Sequence, residues 1–345
     1  MKVLLDAMGG DNAPEEIILG AARALEHNKD LTLVIVGDKD KVTPLFSKYK
    51  MPSSRVEFIP STEVVLNTDH PASFLTEKPN SSLALGFTAL GKREDISALV
   101  TAGPTGAVLT GSIFKIGRIP GVKRPALMAT FPTRKEKVLC RLLDAGANMD
   151  CKSEYLLQFA LMADSYLKAI GIDNPRVGLL NVGAEEGKGN ELAKATYPLL
   201  KESGLNFVGN IEADHILKAE ADVVVCDGFW GNVYCKAIED TAYWMSDLFK
   251  GALFHSFWTK LGCAFQFRQL KKVKEPISYA NKACAPMLGV KKLVLKCHGK
   301  AKADSIELTI EEASSLARNN LIGKITEVIA KQNAKPAEVE TPEAK

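Results

Sequence analysis

Ala221-Asp222-Val223-Val224-Val225-Cys226-Asp227-Gly228-Phe229-Trp230-Gly231-Asn232 is the stretch that decides the fold. An apolar run of strand-forming residues enters a glycine-containing turn, and a long helical pattern follows. A buried strand that passes through a tight turn into a helix is the repeating unit of a parallel sheet covered by helices. In open α/β sheets, such turns lie outside the carboxyl ends of the strands, where ligands bind.

The same order of strand, turn and helix occurs at three other places, residues 5–11, 101–106 and 181–190. We expect the four turns to converge on one edge of one sheet. Helix N-termini and free backbone N–H groups attract anions. The sequence therefore predicts a phosphate site at that edge.

The composition is that of an ordinary globular protein. The 345 residues are 46% hydrophobic and 25% charged, and the net charge of +3 gives no argument for nucleic acid as a partner. None of the seven cysteines forms a C-x-x-C pair, so we expect reduced, buried thiols in a cytoplasmic protein. The N-terminus resembles a strand more than a signal peptide, and no apolar run approaches the roughly 18–20 residues of a membrane span.

Strand and helix patterns alternate up to residue 331, which predicts a single three-layer α/β/α domain with a mainly parallel sheet. A hairpin at 126–144 predicts a local antiparallel section. A helical segment at about 245–280 is expected to protrude, and 332–345 to form a disordered tail. The patterns predict ten strands, at 3–6, 31–36, 55–59, 98–101, 126–131, 137–144, 177–181, 207–209, 222–226 and 293–296.

A series of short motifs extends over residues 1–330. They include Asp6-Ala7-Met8-Gly9-Gly10-Asp11, Leu143-Asp144-Ala145-Gly146-Ala147-Asn148, Asn181-Val182-Gly183, Lys188-Gly189-Asn190-Glu191, Asp227-Gly228-Phe229, Gly231-Asn232 and His298-Gly299. Together these motifs resemble those of the bacterial phosphate acyltransferase family, the acyl-carrier-protein:phosphate transacylases. The resemblance implies a homodimer with a fold similar to phosphate acetyltransferases and isocitrate dehydrogenases. It also implies an enzyme that makes acyl phosphate from fatty acyl-[acyl-carrier-protein] and inorganic phosphate, for phospholipid synthesis.

The chain departs from the family pattern at four places. Pro104 stands where the family usually has Asn, and Trp230 where it has Thr. Ala283-Cys284 replaces a Gly-Gly pair, and Lys300-Ala301-Lys302 replaces a run of serines. These departures affect the carboxyl-terminal part of the expected site more than its amino-terminal part.

The implied reaction is attack of a phosphate oxygen on a thioester carbonyl. It needs an anion site, hydrogen-bond donors for the developing oxyanion, and a slot for the acyl chain and its carrier. Phosphate is itself the nucleophile and thiolate is a good leaving group, so we expect no acyl-enzyme, no metal and no cofactor. Positioning and preorganised donors would supply most of the rate.

The expected catalytic residues come from the same turns. Lys188, between two glycines, suits phosphate binding, although such a lysine also occurs in flexible surface turns. Asn232 could donate to an oxyanion or serve as a helix N-cap. Asp227, like Asp6, could orient a neighbour, accept a proton or only shape its turn. His298 could act in acid–base catalysis or be structural.

The other candidates for phosphate or substrate binding share these turns. Pro104 removes one backbone donor from the second turn. The chain has neither the Rossmann glycine motif nor a P-loop, and Glu185-Glu186 lack the further carboxylates of a Mg²⁺ site. The candidates are Asp6, Gly9, Gly10, Asp11, Gly103, Thr105, Gly106, Gly189, Asn190, Gly228 and Gly231.

Residues 250–274 place aromatic side chains beside a basic cluster. This composition is typical of a helix at a membrane surface, and the basic cluster could also meet the acidic acyl carrier protein. A core helix with a solvated charged end is the alternative. We expect peripheral membrane contact through Phe254, Phe257, Trp258, Leu261, Phe265, Lys271 and Lys272.

Two other functions fit the sequence. One is a phosphate acetyltransferase-like enzyme that uses a short acyl-coenzyme A thioester, because pocket shape sets the acyl length. The other is a non-catalytic, membrane-bound scaffold descended from the enzyme. An assay of acyl phosphate formation distinguishes all three.

Overall fold

The structure is a computed structural model that describes residues 1–266 and 284–334, without the side chains of residues 257, 261 and 264. Within these residues the strands join into one sheet. They are β1 (Lys2–Asp6), β2 (Thr32–Gly37), β3 (Val56–Pro60), β4 (Ile96–Thr101), β5 (Ala126–Pro132), β6 (Leu139–Leu143), β7 (Arg176–Asn181), β8 (Asn206–Glu212), β9 (Val223–Val225), β10 (Ala285–Leu288) and β11 (Leu293–Lys296).

Helices cover both faces of this sheet. Short 3₁₀ turns lie at Ser53–Arg55 and Ala213–Lys218, and a π-helical turn lies at Ser112–Ile116. The α-helices are α1 (Glu15–His27), α2 (Lys39–Lys48), α3 (Phe74–Glu77), α4 (Ser82–Lys92), α5 (Thr105–Gly111), α6 (Ser153–Ala169), α7 (Glu191–Lys201), α8 (Gly228–Leu253), α9 (Phe257–Phe265), α10 (Ala303–Arg318) and α11 (Leu321–Ala334). The predicted three-layer α/β/α architecture is confirmed.

The sheet is mainly parallel, but its two halves run in opposite directions. The strand order is β3-β2-β1-β4-β11-β10-β5-β6-β9-β7-β8. The pairings β11–β10, β10–β5 and β5–β6 are antiparallel, and the other pairings in the described sheet are parallel. Three reversals leave β6, β9, β7 and β8 antiparallel to β1, β2, β3, β4 and β11. The expectation that all four turns share one edge is therefore wrong: two follow the first half and two follow the second, at opposite edges.

Side chains alternate between the two faces, as the pleat requires. On β11, Leu293 and Leu295 join the large core under α1, α6, α10 and α11, whereas Val294 points to the other face, under α4 and α5. In the second half of the sheet, Leu142 and Val224 pack under the start of α8. The core is thus continuous on one face and divided in two on the other.

Each of the ten predicted strands overlaps an observed strand, and β10 was not predicted. Its sequence, Ala285-Pro286-Met287-Leu288, contains a proline, which is depleted in strand interiors. The predicted tail is corrected at its start, because residues 332–334 belong to α11. The remaining tail residues, 335–345, lie outside the described residues.

α8 has only three buried residues along its 26-residue length. Its second half is rich in exposed apolar side chains, including Trp244 and Phe249, at 60% and 59% exposure. Beyond it, Phe254, Trp258 and Phe265 are 52%, 76% and 84% exposed. Among the described helices, none combines the length and apolar character needed to cross a membrane.

Changing Gly231 to alanine should destabilise the fold more than most substitutions do. A Cβ at Gly231 would lie 1.8 Å from the Asp144 carbonyl oxygen, so α8 would have to move away from the β6 turn. Gly251→Ala is the matched control, because a Cβ at that α8 position meets nothing within 4 Å. We expect Gly251→Ala to stabilise α8 by up to about 1 kcal/mol.

Thermal melting of both variants measures the difference. Equal melting temperatures for Gly231→Ala and the unchanged protein would show that α8 does not pack this closely on the β6 turn.

Candidate active site

The first group of candidate residues follows β1 and β4, at one edge of the sheet. Asp6 is buried, and its carboxylate accepts the Met8 N–H at 3.1 Å and the Thr101 hydroxyl at 2.8 Å. The Thr101 oxygen in turn accepts the Gly103 N–H at 2.9 Å. Burial raises the pKa of Asp6, and hydrogen bonds from Ser82, Thr101 and the turn oppose that shift. Asp6 therefore fixes the shape of two turns.

Glycine is required where these turns meet the loop after β11. A Cβ at Gly9 would lie 2.7 Å from the Gly103 nitrogen, and one at Gly10 would lie 2.9 Å from the Gly299 carbonyl oxygen. Gly10 also has a φ of +94°, which disfavours any side chain. The Asp11 N–H donates to Gly299 at 2.7 Å. The fold thus brings together the predicted residues Asp6, Gly9, Gly10, Asp11, Gly103 and His298.

Thr105 and Gly106 lie further along the second turn. Thr105 is exposed at the first residue of α5, after Pro104, which occupies the N-cap position without a side-chain cap bond. A Cβ at Gly106 would lie 2.8 Å from the Pro71 ring. Gly106 therefore serves close packing against the 60–73 loop.

The second group surrounds the start of α8, at the opposite edge. Asp227 is the N-cap, and its carboxylate accepts the Trp230 N–H at 2.8 Å. Burial raises the pKa of Asp227. The N-cap alternative for Asn232 is wrong, because Asn232 lies one turn inside the helix. Its side chain is exposed beside Gly146, and no described residue bonds its amide, so the amide is available to a ligand.

Asp144 organises this second group, although the sequence analysis gave it no role. It is fully buried and accepts five N–H groups, from Leu127, Gly146, Ala147, and the backbone and side chain of Asn148, at 2.6–3.3 Å. The Asn148 carbonyl then accepts the Gly228 N–H at 2.7 Å. A Cβ at Gly228 would lie 2.6 Å from that carbonyl oxygen. The β6 turn therefore determines where α8 begins.

Lys188 lies in a third loop, after β7. Since β7 is parallel to β9, this loop is at the same edge as Asp227. The Asn181 side chain accepts the Val182 N–H at 2.8 Å and donates to the Lys188 carbonyl at 3.0 Å, which ties the loop across its base. Gly189 has a φ of +97°, and Asn190 caps α7 through the Ala193 N–H at 2.9 Å. Lys188 itself is exposed, with no ion pair among the described residues.

α8 connects the two edges by crossing one face of the sheet. Tyr243 lies 15 residues after Gly228, which corresponds to about 22 Å of helix. The Lys300 Nζ, just after β11, lies 5.5 Å from the centre of the Tyr243 ring. Between the two divided cores on this face, the sheet stays partly exposed at Ala129, Ala285 and Lys296. We call this area the central opening.

Lys296, at the end of β11, is a site residue that the sequence analysis missed. Lys296 pairs with Ala285 of the neighbouring strand β10. The Lys296 Nζ donates to the Cys297 carbonyl at 3.0 Å. Burial lowers the pKa of the Lys296 ammonium. Burial also lowers the pKa of His298, and the nearby Lys296 charge adds to that effect. The sequence feature that could have identified Lys296 is the presence of a lysine inside the apolar run Leu293-Val294-Leu295-Lys296-Cys297.

The arrangement favours an anion held between cations and backbone donors. Lys296 lies in the central opening, Lys188 lies in the loop after β7, and Asn232 lies in the first turns of α8. The glycine turns after β1 and β4 lie at the other edge. Of the seven predicted membrane residues, Phe254, Trp258 and Phe265 are exposed; the side chains of Phe257 and Leu261, and residues Lys271 and Lys272, lie outside the described residues.

Comparison with known proteins gives one consistent result. The sequence model of the family described as "Fatty acid synthesis protein" matches residues 1–324. The chain is 42% identical over 330 residues to a phosphate acyltransferase of Caldanaerobacter subterraneus subsp. tengcongensis, covering 95% of this chain and 97% of that protein. It is 43% identical over 326 residues to one of Thermoanaerobacterium thermosaccharolyticum, covering 94% and 96%.

Solved structures support the fold alone. A phosphotransacetylase from Streptococcus pyogenes superposes with a TM-score of 0.60 at 15% identity, covering 92% of this chain and 94% of that one. A branched-chain phosphotransacylase from Enterococcus faecalis gives a TM-score of 0.58 at 12% identity, covering 92% and 99%. The predicted likeness to the phosphate acetyltransferase fold is confirmed.

Replacing Lys296 by methionine should raise the melting temperature at neutral pH. Because burial lowers the pKa of Lys296, its charge destabilises the folded state below that lowered pKa. The penalty disappears as the pH rises toward the ordinary lysine pKa of about 10.4. The advantage of methionine should therefore shrink as the pH rises through the lowered pKa of Lys296, and it should be gone above about pH 10.4.

Lys260→Met, an exposed change on α9, is the control and should show no such trend. A lower melting temperature for Lys296→Met at every pH would mean that the amine stabilises the fold.

Proposed function

The chain belongs to the fatty acid synthesis protein family of phosphate acyltransferases, and on that premise we propose that it transfers a fatty acyl group from acyl-[acyl-carrier-protein] to inorganic phosphate. The products are acyl phosphate and the free carrier protein, and the acyl phosphate feeds phospholipid synthesis. Lys296 is the observation that carries this proposal. A partly buried cation is costly unless an anion occupies the neighbouring space, and phosphate supplies that anion.

The phosphate is assigned to the central opening, with Lys296 beneath it. Lys188 lies on the loop between β7 and α7. The Asn181 side chain bonds this loop at its start, and Asn190 caps α7 at its end. The exposed Lys188 ammonium therefore has the freedom to close on a bound phosphate. At the other edge the Gly10 N–H adds a neutral donor, whereas the Gly103 N–H already donates to Thr101 and the Gly9 N–H to Asp6.

Attack by an oxygen of HPO₄²⁻ forms the new C–O bond at the thioester carbonyl, and the C–S bond then breaks. The phosphate proton ends on the departing thiol, so the charges balance. The His298 Nδ1 accepts the Lys300 N–H at 3.1 Å, so the neutral ring presents its Nε2–H, which can donate to the phosphate or to the departing sulfur. The Asn232 amide donates to the carbonyl oxygen as negative charge develops there. None of these steps needs a metal or a cofactor.

A short acyl-coenzyme A substrate is the second candidate. The likeness to phosphotransacetylases supports the fold and says nothing of the substrate. The run of exposed aromatic side chains from Trp244 to Phe265 favours a substrate delivered at a lipid surface, as a long acyl chain would be.

We further propose that the protein is a cytoplasmic homodimer that binds membranes peripherally through the end of α8 and through α9. Phe254, Trp258 and Phe265 would enter the interface. Lys271 and Lys272 would meet anionic headgroups, or the acidic surface of acyl carrier protein. The exposure of three aromatic side chains within twelve residues supports this assignment over a core helix.

Asn232→Ala should slow acyl phosphate formation from acyl-[acyl-carrier-protein] and phosphate by about 10²–10³-fold, the usual effect of losing an oxyanion donor. Its melting temperature should stay near that of the unchanged protein, because the side chain is exposed and no described residue bonds it. Val233→Ala, the next exposed position on α8, is the control and should retain the rate.

Rate assays beside thermal melting decide the outcome. An unchanged rate for Asn232→Ala would remove the oxyanion role. Activity of the unchanged protein with acetyl-coenzyme A alone would select the second candidate, and no activity with either thioester would select a scaffold.

Anionic vesicles should co-sediment the protein, and salt should weaken the binding, because each basic side chain at the surface contributes about 1 kcal/mol that salt screens. Trp258→Asp with Phe265→Asp should abolish sedimentation and leave acyl phosphate formation in solution largely intact. Phe114→Asp, at a side chain that is 74% exposed but remote in sequence, is the control. Equal loss with the Phe114 variant, or no sedimentation at all, would contradict a membrane role for α9.

A further inference from the structure

A cavity lies on the face of the sheet opposite α8. Its volume is about 640 Å³, and residues of β5, β6, α6 and α10 line it. Arg141 lines this cavity, whereas its neighbour Leu142 points to the α8 face. The sheet itself therefore separates the cavity from the central opening, and the reaction proposed above uses none of its residues.

Arg141 is a buried cation with unused hydrogen-bond donors. Its side chain is only 8% exposed. One guanidinium nitrogen donates to the Leu139 carbonyl at 3.1 Å, but the buried Nε has no partner among the described residues. The Asp222 carboxylate does not bond Arg141. It accepts two hydrogen bonds from the Arg176 guanidinium instead, at 2.8 and 3.1 Å. Buried donors without partners are rare and costly. An acceptor bound at the part of the guanidinium that lines the cavity would offset this cost.

A second carboxyl group that lines the cavity is not an ion-pair partner of Arg141 either. Glu312 accepts the Tyr166 hydroxyl at 2.5 Å, and no Arg141–Glu312 salt bridge forms. Burial raises the pKa of Glu312, which favours its neutral form. The Thr130 and Ser315 hydroxyls also line the cavity and can donate.

Lys137, Asp222 and Glu311 also line the cavity, and the remaining wall residues are apolar. Val138, Leu139, Ile170, Ile172 and Leu308 line it, and Leu308 is 39% exposed. A cation with free donors at one end and branched aliphatic side chains beside it matches a ligand with an anionic head and an alkyl tail.

We infer that this cavity is a second binding site, for an amphipathic anion whose carboxylate or phosphate head pairs with Arg141 and whose short alkyl tail lies along Ile170, Ile172 and Leu308. A free fatty acid and an alkyl phosphate share this chemistry. The inference does not depend on the proposed reaction, because binding can be measured without turnover.

Calorimetric titration of the full chain with octanoate and with octyl phosphate tests the site and distinguishes the two heads. Octylamine and acetate test the need for negative charge and for a tail. Arg141→Gln should weaken octanoate binding by at least about tenfold, the effect of losing a charge-assisted pair, and leave the rate of acyl phosphate formation unchanged. Lys137→Gln, an exposed change at the rim, is the control and should change affinity by less than about threefold.

Arg141→Lys keeps the positive charge but lacks the planar guanidinium, so it should bind octanoate with intermediate affinity. This variant tests the site even if Arg141→Gln fails to fold. Octanoate binding that Lys296→Gln abolishes and Arg141→Gln preserves would place the ligand in the central opening and overturn the inference. Equal binding of octylamine, or no binding of either octyl anion, would overturn it as well.

Discussion

The buried carboxylate of Asp144 is the interaction on which the rest of the site depends. It accepts five N–H groups from β5 and from its own turn. Hydrogen bonds to a charged group are worth about 1.5–3 kcal/mol each when both partners are buried, and losing the acceptor leaves several donors unpaired. The turn held in this way presents the Asn148 carbonyl to Gly228, and so sets the first residue of α8. Asn232 and Asp227 take their positions from that contact.

The second constraint is the reversal of strand direction at the centre of the sheet. Because β10 and β5 are both antiparallel to their neighbours, the turns after β1 and β4 lie at the opposite edge from those after β6, β9 and β7. A single parallel sheet would have gathered all of them at one edge. Here α8 makes the connection, starting beside Asp144 and passing Tyr243 near Lys300. The site therefore depends on a helix that is mostly exposed along its length.

At Lys296 and Arg141, the positive charge that would bind a ligand also lowers the stability of the folded protein. Each puts a cation at a sheet position where an apolar side chain would pack without desolvation cost. Lys296 faces the α8 side, where the sheet is left partly open. Arg141 faces the opposite side, where a cavity remains between α6 and α10. In both places the proposed ligand anion would offset this cost, so an unfavourable term in folding would become a favourable term in binding.

The sequence by itself determined the family, the α/β/α layers, ten of the strands and the glycines that allow the turns to approach one another. These features are local, because a pattern of period two, a glycine or a capping aspartate acts within a few residues. Only the tertiary structure decided that Asp227 and not Asn232 caps α8, that Asp144 organises the β6 turn, and that Lys296 and Arg141 face opposite sides of the sheet. The four residues of β10, with their proline, carry little strand signal, yet their pairing sets the relative direction of the two halves. Such pairing joins segments far apart in sequence, and its energy comes from contacts that no local pattern encodes.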